Sequence, residues 1–154
     1  MSRYAADTSV SVENSRAEIE RTLRRYKADA FAYATEGTRA SIMFRMNDRK
    51  IRFILQMPDR NNREFTHHSR GMRVHEAAEK AWEQACRQKW RALALVIKAK
   101  LEAVAADITT VEDEFLAHTI LPDGSTVGQW AKTEIEEAIR IGRMPTSLML
   151  EDRR

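Results

Sequence analysis

Four basic residues, Arg39, Arg45, Lys50 and Arg52, lie inside two runs that alternate apolar and polar side chains, Ala40-Ile42-Phe44-Met46 and Ile51-Phe53-Leu55-Met57. Successive side chains of a strand point to opposite faces, so this spacing places the four cations together, behind the apolar face. Such a face can hold a phosphate backbone without reading bases. A second set, Arg60, Arg63, Arg70 and Arg73, falls in the polar connection Asp59 to Arg73, which has only two acids. That connection reads either as a solvated loop or as a phosphate-contacting arm at the start of the following helix, whose free N–H groups favour anions. Phe31 and Tyr33 share a parity in the preceding run. If the interleaved Ala30, Ala32 and Ala34 face the helices, the rings join the basic face and form a stacking platform; if the rings turn inward, they are core.

Other reactive residue types lack the company that chemistry needs. His67-His68 has no carboxylate or thiol partner at ligand spacing, so no metal is expected. The one cysteine, Cys86, lies on an apolar helix face and reads as a buried thiol. No phosphate-binding loop, dinucleotide glycine pattern, zinc motif or nucleophile elbow occurs, so the chain is read as non-catalytic, with no catalytic residue and no cofactor assigned.

These residues need elements to position them. Val74 to Ala106 has no Gly or Pro and reads as one long helix, with Trp82, Cys86, Trp90, Leu93, Ile97, Leu101 and Val104 on one arc. Lys89 and Lys100 fall inside that arc and need partners, which the acids Glu112, Asp113 and Glu114 are placed to supply. Ser15-Arg-Ala-Glu18 has capping-box form, predicting a first helix from Ser15 to about Lys27, with Arg16 on its wet face. Residues 1–14 read as a flexible tail. Asn47-Asp48 and Glu36-Gly37 turn the chain, giving three antiparallel strands. Thr109 and Glu112 begin a short helix, and Ser125 or Thr126 caps a last one, closed by Gly142 and Pro145, with Leu148-Met149-Leu150 beyond. The fold expected is α+β: an N-terminal helix, a three-stranded antiparallel β-meander, one long helix and two shorter C-terminal helices. Residues 15–106 form the core, and 107–154 an acidic helical region packed on the long helix, all in one domain.

Charge is unevenly placed along the chain. Residues 1–73 carry fifteen Lys or Arg against nine Asp or Glu, whereas residues 107–154 carry five against ten. A basic front and an acidic end point to an anionic partner for the first part. Hydrophobic residues at 43% with 32% charged fit a soluble globular chain with no membrane span. With neither an export signal nor paired cysteines, a cytoplasmic location is expected.

The chain resembles an uncharacterised family of small proteins from tailed bacteriophages and prophages. Ser15 to Glu20, Arg87 to Val104, Glu114 to Ala117 and Leu121 to Val127 carry the resemblance. It implies work inside a bacterial host's cytoplasm and assigns no activity. The order of helix, three-strand meander and helix also resembles double-stranded RNA-binding domains, which would place Arg70, Arg73 and Lys80 where such domains hold phosphates. Together these readings predict a nucleic-acid-binding accessory protein for replication or recombination. The alternative is a protein-binding phage factor that inhibits or redirects a host or defence protein; self-pairing of the long helix into a homodimer is a further option.

Overall fold

The computed structural model describes residues 3–144. Helix α1, Val12–Arg25, is capped by Ser11, whose hydroxyl accepts from the Asn14 N–H at 3.1 Å. The predicted start at Ser15 is therefore corrected. Ser15 stands four residues before Ile19, on the same helical face, and is buried with it, its hydroxyl without a partner. The expected tail is corrected with it. Residues 12–14 are helical, and the Gln84 side chain donates to the carbonyls of Ala6 and Thr8, both at 2.9 Å, tying the preceding segment to the long helix.

Strands β1 (Ala30–Glu36), β2 (Arg39–Met46) and β3 (Arg49–Gln56) form an antiparallel sheet in the order β1-β2-β3. Asn47 and Asp48 both have positive φ, 50° and 60°, the two-residue turn whose twist suits a hairpin. Β1 runs two residues further than its alanine pattern suggested, so Gly37 (φ 57°) and Thr38 make the first turn. Ala40, Ile42, Phe44, Met46, Ile51 and Phe53 are buried, as the alternation requires.

The connection after β3 folds locally into α2 (Arg63–Thr66) and the hairpin β4 (His67–His68) with β5 (Gly71–Met72). Phe65 is buried and anchors this unit against α3, His75–Ala105. Α3 has 31 residues and spans about 46 Å. With α1 it covers the apolar sheet face, burying Trp90, Leu93, Ile97 and Leu101 against Ile19, Leu23, Phe44 and Ile51.

After α3 the chain turns back under Thr110, one residue later than predicted, which caps the single turn α4, Val111–Glu114. Phe115 stands edge-on to Phe44 and Phe53, with centroids 5.5 and 6.1 Å apart. The Lys100 ammonium meets the Glu114 carboxylate at 2.7 Å, so the acidic return partners Lys100. Thr119 bridges to Ile51, and the Ile120 N–H donates to the Lys50 carbonyl at 2.8 Å, covering that edge of β3. Helix α5, Val127–Ile141, starts from a reciprocal cap between Thr126 and Gln129 and ends at Gly142 with φ 71°. It rests on the 3-10 turn Leu116–His118 rather than running along α3, so of the region expected to pack on the long helix α4 does and α5 does not. Pro145 and Leu148-Met149-Leu150 lie outside the described residues.

The observed class is α+β. The long helix and the meander stand as expected; α2, β4 and β5 are additions, and the first of the two expected C-terminal helices, α4, shrinks to one turn.

Candidate nucleic-acid interface

The sheet has two unlike faces. Cross-strand neighbours share a face, so the register Ala30↔Arg45↔Lys50, Ala32↔Met43↔Arg52 and Ala34↔Ser41↔Ile54 defines the side turned away from α1 and α3. Arg39 stands at its far end between Glu36 and Gln56. The strand period thus gathers Arg39, Arg45, Lys50 and Arg52 as predicted. Met43 and Ser41 separate Arg45 from Arg39, and Ala30, Ala32 and Ala34 are exposed, so a ligand can approach the β1 side of the sheet closely.

The four cations are not equivalent. Arg45 Nε donates to Asp29 at 2.7 Å, and this bond holds the Asp29 carboxyl below its ordinary range. Arg52 turns to the C-terminal region, donating to the Gly124 carbonyl at 2.9 Å and to the Gln129 side chain at 3.4 Å. Arg39 and Lys50 are exposed and make no hydrogen bond or ion pair among the described residues. The two-residue turn at Asn47-Asp48 makes Arg45 and Lys50 a non-hydrogen-bonded pair, the closer of the two antiparallel arrangements. Like charges directly opposite destabilise a sheet, and Asp29, with Asp48 as a weaker contributor, offsets them here. A concavity of about 280 Å³ lies between Arg39 and Arg52, with Glu36, Ser41 and Gln129 on its walls.

Phe31 and Tyr33 do not join this face. Their partners are Phe44 and Ile42, so both rings point to the helix side. Phe31 packs against the core, while Tyr33, nearer the free end of β1, stays 53% exposed. The stacking platform is therefore absent. Arg16, expected on a wet face, instead lies between the rings of Tyr33 and Trp90, at 4.8 and 4.5 Å. No pattern in the sequence joins these three residues, because they come from three elements.

The second cationic set also disperses. Arg60 pairs with Glu79 at 3.2 Å and lies 4.1 Å above the Trp82 ring, whose indole N–H donates to the Pro58 carbonyl. Arg73 donates to the Phe65 carbonyl, leaving Arg63 and Arg70 exposed. All four belong to the unit packed on α3, on the helix side of the molecule, so they do not extend the basic sheet face. Lys80 pairs with Glu76 at 3.0 Å. The arrangement expected from the RNA-binding likeness, with Arg70, Arg73 and Lys80 presented together, is thus reduced to Arg70.

His67 Nδ1 lies 2.7 Å from the Thr66 hydroxyl, and His68 Nδ1 accepts the Arg70 N–H at 2.9 Å; both rings serve the hairpin. Among the described residues no group of three or more His, Cys, Asp or Glu is placed to hold a metal ion. Cys86 is buried, and burial pushes its thiol pKa up, which disfavours the reactive thiolate. Among the described residues no helix is long and apolar enough to cross a membrane. A concavity of about 750 Å³ opens between β3 and α3, with Phe53, Leu55, Met57, Leu93 and Val96 among its walls and Asp59, Glu64 and Gln88 beside them. Lys89 reaches it without an ion-pair partner, unlike Lys100.

No family model matches the chain, and no curated protein or solved structure matches it.

Proposed function

We propose that this protein binds the phosphate backbone of nucleic acid on its open sheet face, as a non-catalytic accessory factor in phage replication or recombination within a bacterial host. The observation that carries the reading is the uncovered face on which Arg39 and Lys50 remain unpaired while Lys50 stands directly opposite Arg45. The fold does not need that like-charge pair, and a bound phosphate would relieve it. With Phe31 and Tyr33 on the other face, base stacking makes no contribution. Binding is then electrostatic, and single strands have no advantage beyond their charge density.

The test is binding to labelled single-stranded DNA, duplex DNA and duplex RNA across a salt series. Duplex affinity should fall with log salt by roughly 0.9 per phosphate engaged, giving a slope of about −2 to −4 for four cations. The double variant Arg39→Glu, Lys50→Glu should lower affinity by at least about tenfold and flatten the slope, since each cation removed releases one fewer counterion. Neither residue has a structural partner, so folding should be unchanged. Absence of binding at low salt, or a double variant that binds as well as wild type, rejects the reading.

Α5 supports a second reading, capture of a host or phage protein. Ile135 is 48% and Ile139 76% exposed one turn apart on one side of the helix, and Trp130, 58% exposed, stands on the other. Exposed aromatic and aliphatic anchors on a helix suit a partner's groove. Loss of a captured partner on Ile135→Ala with Ile139→Ala, without loss of DNA binding, would favour this reading over the first.

A further inference from the structure

The two edges of the sheet are treated differently. The β3 edge is covered where Thr119 and Ile120 bridge to it. At the other edge, among the described residues β1 pairs only with β2, and its seven residues Ala-Phe-Ala-Tyr-Ala-Thr-Glu include no Pro, Gly or Lys and a single charge, Glu36. Every residue of β1 except Phe31 is exposed. Proteins ordinarily protect such an edge with lysine, proline, a bulge or a covering segment, because its free N–H and C=O groups template another strand.

We infer that β1 pairs antiparallel with β1 of a second copy, joining two sheets into one of six strands about a two-fold axis at Ala32. The backbone permits it. Gly37-Thr38 is a two-residue turn, so Glu36↔Arg39 is a hydrogen-bonded pair and the alternation along β1 turns the N–H and C=O groups of Phe31, Tyr33 and Thr35 outward. With Ala32 on the axis, outward-facing residues meet outward-facing residues: Phe31 opposes Tyr33 of the second copy, twice. Cross-strand aromatic pairs stabilise sheets, and here they would cover the half-exposed Tyr33.

Charge also fits. Ala30, Ala32 and Ala34 oppose one another on the outer face, so no like charges meet across the axis. Glu36 comes opposite Ala28 of the second copy and beside its Lys27; Glu36 and Lys27 are both exposed and have no ion pair among the described residues. Growth stops at two, because a two-fold contact uses both β1 edges and the β3 edge left on each side is blocked at Lys50 and Ile51. This inference goes beyond nucleic-acid binding and stands without it. If both hold, the dimer presents two sets of Arg39, Arg45, Lys50 and Arg52 on one continuous face.

Sedimentation equilibrium of the full chain without nucleic acid is the first experiment, and a monomer–dimer equilibrium is expected. Ala32→Lys sets two ammonium groups opposite each other at an exposed position and should weaken the dimer by at least about tenfold. Ala32→Cys should form a disulfide-linked dimer on oxidation, since a non-hydrogen-bonded pair brings Cα atoms to about 4.5 Å. Ala34→Cys, opposite Ala30 and far from its own copy, should not. A chain monomeric at high micromolar concentration overturns the inference. So does a dimer that Ala32→Lys leaves intact, or that cross-links through Ala34→Cys and not Ala32→Cys. Capture of a foreign strand by β1 in a chain that stays monomeric also overturns it, and assigns the edge to another protein.

Discussion

Helices α3 and α5 carry the same kind of amphipathic pattern, yet one has its apolar side in the core and the other in water. Trp90 on α3 is 1% exposed, whereas Trp130 on α5 is 58% exposed. The difference lies in what each helix meets. Α3 meets α1, α2 and the sheet, which together bury six of its side chains, while α5 leans chiefly on Leu116–His118 at its first turns. A periodic apolar stripe states what a helix can bury, and the neighbouring elements decide whether it does.

The sharpest test of this contrast is a pair of truncations. Trp90→Ala should cost about 3–5 kcal/mol, because it empties the centre of the core, while Trp130→Ala should stay within about 0.5 kcal/mol. Urea unfolding of both variants measures the difference; equal costs would mean that α5 is packed as firmly as α3. The next effect concerns how α5 is held. A Cβ on Gly128 would stand 2.9 Å from the Ala117 carbonyl oxygen, so Gly128→Ala must push the helix away from the turn Leu116–His118. A loss of about 1–3 kcal/mol is expected from such overpacking, and amide exchange should rise in α5 before it rises in α3.

The two lysines within the α3 stripe extend the comparison to charge. Glu114→Gln leaves the half-buried Lys100 without its carboxylate and should cost about 1 kcal/mol. Lys89→Met removes a lysine that has no such partner and should change stability by less than about 0.5 kcal/mol. Thermal unfolding of the two variants side by side separates these outcomes.

The smallest effect is a pH dependence in the turn beneath α5. His118 stacks on Phe53 at 4.0 Å, and burial, followed by the Lys100 charge, holds its pKa below the ordinary 6.5. The unfolded chain then takes up a proton before the folded one does. His118 therefore contributes stability that is whole above about pH 6.5 and is lost as pH falls through the folded pKa. Urea midpoints from pH 8 to pH 5 should fall for the wild type and stay flatter for His118→Phe.

Much of the architecture was legible because it rests on local rules. Alternation placed Ala40, Ile42, Phe44, Ile51 and Phe53 inward and the four cations outward, and Asn47-Asp48 marked its turn because both residues tolerate positive φ. Thr126, Gln129 and Gly142 bounded α5 through caps that involve only near neighbours. Ser11 and Ser15 were harder. Both are good capping residues, and the choice between them depended on Ser15 sharing a buried face with Ile19.

The candidate site was legible in part. That Arg39, Arg45, Lys50 and Arg52 share a face follows from the strand period alone. Which of them remain free does not, since Asp29, Gly124 and Gln129 reach that face from elsewhere in the chain. Phe31 and Tyr33 could be assigned to a side only through their register with Phe44 and Ile42. The sequence by itself determined the periods, caps and turns, because torsional preference and side-chain direction act over a few residues. Only the tertiary structure decided that α3 is covered and α5 is not, that Arg16 joins Tyr33 to Trp90, and that β3's edge is covered while β1's is open. Burial and ion pairing depend on segments that meet in space from distant positions, and no local pattern encodes which ones meet.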